Sequence, residues 1–407
     1  MDRRDFMTLM AAAGGAPALG LVGTAAAAET APAAVTTQSR TAFQELLALL
    51  QEIDRRFLSA EWNITKPQDI ADGHRDIMHL LAAGMNLVAE TDPERPAFHR
   101  MVSPVVKFQG DNPDAIYYST LIRDDRAYRI RGNVGGATYT SISMEIGSAQ
   151  GHYPTGVARA INDKELKISP NGDYEMILSP EQRPGNWFKL EPGTGSVTTR
   201  HYFETEHCIA ADPMKIIPIT IEPLDPLPPS LAPTDDSIAA SIRSVGNWVR
   251  GFTLDQPPMM GSGKPLPSWV STVPNKFNQP ALPGDSVGFA NRDAHYAEAP
   301  YFLKPDEALV IEGRFPKGRF ANVMLWNRYL QTYDYVNHRV SLNRKQTKLE
   351  PDGSFRMIVA HSDPGLPNWL DTQGRAFGLI YWRFIFPDEP IQPIASKVVP
   401  LASLIKG

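Results

Sequence analysis

Apolar residues along this chain recur at helical spacing in three stretches and at strand spacing over most of the rest. Phe43, Leu46, Leu47, Leu50, Ile53 and Phe57 predict an amphipathic helix over 41–58. Ile77, Leu80, Leu81, Met85 and Leu87 predict a second over 70–90. A third follows Thr234, Asp235 and Asp236, which offer a cap and first-turn negative charge ahead of the stripe Ile238, Ile242, Val245, Val249, Phe252. From Val105 onward, short β-like runs alternate with Gly, Pro, Asn and Asp. Tyr128, Arg129, Ile130 and Arg131 alternate apolar and basic, as on a half-buried strand, and 138–144 and 197–209 predict further strands. Asn171-Gly172 predicts a hairpin turn between 165–168 and 174–178, and Asp352-Gly353 a second between 347–349 and 355–359. Residues 377–386 predict the last long strand.

Those β-like runs repeat. Asn112-Pro113-Asp114-Ala115-Ile116-Tyr117 returns 179 residues later as Asn291-Arg292-Asp293-Ala294-His295-Tyr296. Ala127 to Gly132 returns as Ala308 to Gly313, and Pro170 to Ile177 as Pro351 to Ile358, both 181 residues on. Asn186-Trp187 returns as Asn368-Trp369. Four blocks in one order at a near-constant offset indicate a tandem duplication. The predicted fold is mainly β with helical inserts: two tandem jelly-roll-like antiparallel β-sandwich units and an N-terminal helical segment. The expected division is helical segment 41–100, first β unit 101–222, linker with helix and long loop 223–285, and second β unit 286–407. The run Pro223 to Pro229 reads as a stiff linker. The Pro-, Gly-, Met- and Ser-rich loop at 255–285 reads as a lid, an oligomer arm or a linker.

Composition narrows the class. A net charge of −5 over 407 residues argues against a nucleic-acid binder. One cysteine, Cys208, excludes an internal disulfide and a cysteine zinc site. Arg3-Arg4-Asp5-Phe6, an Ala-rich apolar stretch and Ala26-Ala27-Ala28 read as a twin-arginine signal over 1–28, with a flexible leader over 29–40. The expected location is the periplasm, with no membrane span after signal removal.

Ile70-Ala71-Asp72-Gly73-His74-Arg75-Asp76-Ile77, Phe98-His99-Arg100 and Gly110 to Tyr118 resemble a large bacterial family known as domain of unknown function 1214, often paired with domain 1254. Tyr174 to Ser179 and Asn186-Trp187 resemble it too. The resemblance spans about 70–400. It implies a jelly-roll-like architecture, possible oligomers, and no agreed reaction or catalytic set.

Candidate chemistry starts where the copies differ. Arg200, Tyr202, Glu204 and Glu206 would share a face if the strand runs through them, with the two carboxylates about 7 Å apart. Such a pair could serve as acid and base, as in glycoside hydrolysis. The alternative is a solvated face with Arg200 as partner. His152, in a Gly-bounded loop, is a candidate acid or base, or an exposed loop histidine. Asn112, Asp114 and Tyr117 could hold a substrate hydroxyl or a hard cation, or form an Asx-turn that positions a strand. Trp187 and Trp369 could stack on a ring or fill a core. Asn327 and Tyr333, with Trp326 and Tyr335, could line a pocket or an oligomer interface. Arg383 lies among apolar residues and would need an anion, from a substrate or from Asp293 or Glu298. His74 and His79 stand five apart, the wrong spacing for one metal. The expectation is an exported hydrolase or lyase acting on a small or sugar-like molecule. Glu204, Glu206, His152 and Tyr117 would be catalytic; Arg200, Arg383, Trp187, Trp369, Asn112, Asp114, Asn327 and Tyr333 would bind substrate. No cofactor is expected, with an oxygen-liganded divalent cation left open. The alternative is a non-catalytic oligomeric binding or assembly protein. A homo-oligomer is expected in either case.

Overall fold

The computed structural model describes residues 35–227, 229–256, 266–284 and 288–405. The expected signal peptide and the leader up to residue 34 lie outside the described residues, as do 257–265 and 285–287 of the long loop.

Three helices match the three periodic stretches. Helix α1 (Gln38–Arg56) starts at Thr37, whose side chain accepts from the Arg40 amide. Helix α2 (Pro67–Gly84) starts with proline in its first turn and runs into a π-turn at Met85–Ala89. Helix α3 (Asp235–Gly251) opens on a capping box between Thr234 and Ser237. Asp235 also accepts from the amides of Gln38 (2.7 Å) and Ser39 (3.1 Å), so one carboxylate supports the N-termini of α1 and α3 together. The α3 stripe is displaced from expectation: Ala239, Val245, Trp248 and Val249 are buried, while Ile238 is exposed. No described helix is long and apolar enough to cross a membrane.

The β strands form two sandwiches with one topology. In the first unit the inner sheet runs β1 (His99–Arg100), β2 (Ala115–Leu121), β8 (Thr194–Tyr202), β4 (Tyr139–Ile146), β5 (Gly156–Asn162). Its outer sheet runs β7 (Trp187–Lys189), β6 (Asp173–Ser179), β3 (Tyr128–Asn133), β9 (Ile219–Pro223). In the second unit the inner sheet is β10 (Ala294–Phe302), β16 (Phe377–Pro387), β12 (Gly318–Trp326), β13 (Ser341–Asn343). Its outer sheet is β15 (Trp369–Asp371), β14 (Phe355–Ala360), β11 (Glu307–Gly313), β17 (Ala395–Pro400), followed by the short helix α4 (Ala402–Ile405). Each strand from β10 onward occupies the place of the strand eight earlier. The sheets are not wholly antiparallel, because β6–β7 and β14–β15 pair in parallel. The hairpin turns are present, with Gly172 and Gly353 at positive φ, but their first arms reduce to single bridges at Ile168 and Leu349.

Each sandwich has its own core. Ile142, Met144 and Val197 meet Ile130 and Met176 in the first, and Val323, Ile380 and Trp382 meet Leu309 and Met357 in the second. A third core lies between the two inner sheets. There Tyr117, Tyr139 and Tyr202 meet Tyr296, Phe320, Trp326 and Tyr381, and α2 and α3 add Leu80, Trp248 and Val249. The described part of the long loop is not a free arm. Val270 bridges to Glu298 and Ala281 to Tyr296, so it lies along β10.

Candidate functional site

The repeated Asn-x-Asp motif makes an Asx-turn in both copies. The Asp114 amide donates to Asn112 Oδ1 at 2.9 Å, and the Asp293 amide to Asn291 Oδ1 at 3.0 Å. Each turn then docks on the other unit. Asn343 on β13 donates to Asp114 at 3.0 Å, and its equivalent Asn162 on β5 donates to Asp293 at 3.0 Å. Asn322 donates to both Asn112 and Asp114 at 2.8 Å. Burial pushes the Asp114 carboxyl up to about 7 despite these bonds.

A buried arginine completes each dock. Arg200 on β8 donates to the Phe289 carbonyl at 2.9 Å, and Arg383 on β16 to the Gly110 carbonyl at 2.7 Å. Phe289 and Gly110 each sit two residues before their Asn and both have positive φ, 57° and 93°. That conformation is cheap for glycine and strained for phenylalanine.

Around these arginines the copies part. Arg200 donates to Ser143 Oγ at 2.8 Å and pairs with the fully buried Glu145 at 3.4 Å. Strand register puts Met324 and Trp326 where Ser143 and Glu145 stand. Arg383 therefore has the Met324 sulfur at 3.2 Å and the faces of Trp326 and Tyr381 at 5.3 and 5.0 Å; no carboxylate forms a salt bridge with it, though the buried Asp111 and Asp114 feel its charge. Its Nε is buried and unbonded. Neither Asp293 nor Glu298, the internal partners expected from sequence, reaches it: Asp293 accepts from Tyr139 and Asn162.

Glu298 on β10 is the second divergence, since the equivalent position in β2 is Ser119. It is 4% exposed, Oε1 has no hydrogen-bond partner, and burial alone pushes its carboxyl up to about 7. Its backbone is fixed by Trp269 and Ser271 of the long loop, at 3.0 and 2.8 Å. The side chain lines a cavity of about 480 Å³ between the N-terminal helices, the long loop and the inner sheet of the second unit. The walls are mostly apolar, with Phe57, Trp62, Phe252, Phe302, Phe377 and Leu379 among them. Asp76 of α2 lines it as well, accepts from Gln331 at 2.8 Å, and is pushed well above its ordinary value by burial. Gln109, the residue before Gly110, lines it too, and its Oε1 is also buried without a partner. Gly73 lets α2 approach Leu58 and Tyr329, which a Cβ would overlap. Arg328 and Asp69 pair at 3.4 Å among the wall residues.

The expected residues are scattered. Tyr117, Arg200 and Arg383 do meet, in the core between the inner sheets. Glu204 and Glu206 do not share a strand face, because β8 ends at Tyr202, opposite the first residues of its antiparallel neighbours, Ala115 of β2 and Tyr139 of β4. Glu204 accepts both arms of Arg344, at 2.6 and 2.8 Å, and Glu206 is exposed. His152 is exposed, 3.4 Å from Asn247. Trp187 and Trp369 each begin a parallel edge strand of an outer sheet, their ring nitrogens donating to Ser179 and the Ala360 carbonyl. Asn327 forms a turn with Tyr329 and Gln331. Tyr333 meets the Tyr301 hydroxyl at 2.8 Å. Trp326, Tyr333 and Tyr335 are buried inside the chain, which removes them from any oligomer interface. Among the described residues no cluster of three or more metal-ligating side chains forms. Sequence reasoning did not single out Glu298, Asp76 or Gln109 as site residues. The available signal was the Ser119–Glu298 difference between the copies.

Residues 305–389 match the family described as "Protein of unknown function (DUF1214)", a span from within the gap before β11 to just past β16. The fold is similar to the crystal structure of an uncharacterized protein from Burkholderia cenocepacia: 25% identity, TM-score 0.74, covering 90% of this chain and 99% of that one. A protein from Vibrio parahaemolyticus aligns at 12% identity and TM-score 0.44, over 80% of this chain and 98% of that one. No curated protein matches.

Proposed function

We propose that this protein is an exported, periplasmic enzyme that binds a small, largely apolar organic molecule in the cavity beneath α2 and acts on it by acid–base chemistry through Glu298. One observation carries the reading: an unpartnered buried carboxyl faces an apolar cavity large enough for a small molecule. A carboxyl held near 7 by burial is half protonated at neutral pH, so it can give or take a proton. Asp76 in the same cavity is the candidate second acid. The apolar walls favour a ring or alkyl body over the sugar expected from sequence. The N-terminal Arg pair and Ala-rich stretch support export.

A thermal-shift screen of small organic molecules tests binding, and turnover of the hits by Glu298→Gln tests the chemistry. Gln keeps the size of the side chain and cannot exchange a proton. Binding should survive and turnover should vanish. Full turnover in Glu298→Gln rejects the role of Glu298.

The second reading is a binding protein without turnover. It is favoured by the lack of any hydrogen bond orienting the Glu298 carboxyl, since catalytic groups are ordinarily held in place by neighbours. Ligands that bind tightly and emerge unchanged would establish it.

A further inference from the structure

We propose that the molecule taken up by this cavity is an amine with an apolar body, bound with its ammonium group on Glu298; this rests on the cavity being a ligand site. Alternation along β10 turns Tyr296, Glu298, Pro300 and Phe302 to one face, while Ala297 and Tyr301 point into the core of the second sandwich. Pro300 and Phe302 line the cavity, and so do Leu379 and Phe377, their partners on β16. Glu298 belongs to the same floor, 4% exposed and with Oε1 unbonded.

The polar groups of the cavity ask for a donor. Among the described lining residues, the buried side-chain atoms without a hydrogen bond are Glu298 Oε1, Gln109 Oε1 and Arg328 Nε. Arg328 is already engaged: its Nε faces the Asp69 carboxylate at 3.4 Å, and its Nη1 donates to the Asn63 carbonyl at 2.7 Å. What is left over is acceptor oxygen. The charges point the same way. Lys66, the other cation of the lining, is exposed and lies over the Phe302 ring at 5.7 Å. Burial is the one influence on the titration of Glu298, so no cation among the described residues reaches its carboxyl. Asp76 accepts from the Gln331 amide at 2.8 Å and likewise feels no cation. An ionised Glu298 in this setting lacks a counter-charge, and an ammonium group supplies both the charge and N–H donors for the unbonded oxygen. Aromatic walls suit the same group, because ring faces attract cations. The alkyl or aryl body has Phe57, Trp62 and Phe252 to lie against.

The test titrates the purified protein by calorimetry at pH 8 with two matched sets. One is 2-phenylethylamine, 2-phenylethanol and phenylacetate; the other is hexylamine, 1-hexanol and hexanoate. Potassium chloride and ammonium chloride are separate arms. At least one amine should bind about tenfold or more tighter than its alcohol, the ratio expected for a charge-assisted hydrogen bond in a dry site. Lowering the pH from 8 to 5.5 protonates Glu298, so that ratio should shrink. Tyr381, opposite Glu298 on β16, is pushed well above its ordinary value by burial and stays neutral throughout. Glu298→Gln should bring the amine to within about threefold of its alcohol and leave alcohol affinity in place, so binding survives and the preference goes. Asp76→Asn should keep the preference and its pH dependence, which separates the titration of Asp76 from that of Glu298. If Glu298→Gln does not fold, the pH dependence of the wild-type ratio carries the test. Equal affinity for amines and alcohols, or tighter binding of the acids, overturns the inference and leaves the cavity reading standing. So does a preference that persists in Glu298→Gln or disappears in Asp76→Asn. Binding of potassium or ammonium ion without an amine preference overturns it in favour of an inorganic cation. No binding by either set overturns the inference and the cavity reading together.

Discussion

The two copies of the β unit treat the same arginine in opposite ways. Arg200 and Arg383 sit at matching points of matching strands and donate to matching carbonyls, Phe289 and Gly110, across the interface. Around Arg200 the first unit adds Ser143 and Glu145, and the site is closed. Around Arg383 the second unit has Met324 and Trp326, and the adjacent position that is Ser119 in the first copy is Glu298. One copy holds a self-sufficient ion pair. The other holds an arginine with no salt bridge, packed on Trp326 and Tyr381, and on the neighbouring strand an unpartnered acid, Glu298, that lines a cavity. Duplication preserved the residues that dock the halves and released those between them, and the proposed chemistry is placed where the near-symmetric interface is asymmetric.

The comparison breaks if the Arg200 pair turns out to be dispensable. Glu145→Gln should strand the buried Arg200 guanidinium without its ion-pair partner. The expected loss is about 3–5 kcal/mol of stability, measured by urea denaturation at pH 7. A loss below about 1 kcal/mol would mean that an uncompensated arginine is tolerated in this interface, and that Arg383 signals nothing.

Glu298→Gln should have the next largest effect, with the opposite sign. The folded-state carboxyl titrates at about 7 and the unfolded one at about 4.5, so the native protein binds the extra proton between those values. Wild-type stability therefore falls as pH rises from 4.5 to 7 and stays low above that. Glutamine never ionises, so the variant should be more stable than wild type by about 3 kcal/mol above pH 8. The gap should close below pH 4.5. Paired urea titrations at pH 4.5, 6 and 8 check this, and a pH-independent gap would remove the raised titration of Glu298.

The fold was readable because the residues that repeat are those that hold it. Asn112, Asp114, Asn291 and Asp293 declare the duplication, and the same residues make the Asx-turns and the reciprocal docks. Sequence could not show that these turns cross between the units, since Asn162 and Asn343 carry no local signal of a partner more than a hundred residues away. Glu204 and Glu206 misled because alternation continues past the point where the sheet runs out of neighbours. Strand length is set by the pairing partners, and β8 stops at Tyr202 because β2 and β4 begin opposite it. Glu298 stayed hidden because one acid in an apolar strand has no spacing to read. The 179-residue offset of the repeat already sets it against Ser119, but only the fold shows that the position is buried against a cavity.

A finer test of the reciprocal docks uses Asn343→Ala and Asn162→Ala. Each removes one donor to the aspartate of the opposite unit. The first leaves a buried Asp114 oxygen short of a partner, and the second relieves a half-buried Asp293 that water can reach. The expected costs are about 1–3 kcal/mol and under about 1 kcal/mol, respectively. Equal costs would mean that burial does not distinguish the two docks.

The smallest effect separates the proposed site at Glu298 from the carboxylate pair expected from sequence. Glu206 is exposed, so Glu206→Gln should shift stability by no more than about 0.5 kcal/mol and leave ligand affinity unchanged. Glu204→Gln should cost somewhat more, about 1–2 kcal/mol, because it removes one side of the two-armed contact with Arg344. It too should leave ligand affinity alone, since neither glutamate lines the cavity. Loss of ligand binding or turnover in Glu206→Gln, with stability intact, would move the chemistry from Glu298 to the segment beyond β8.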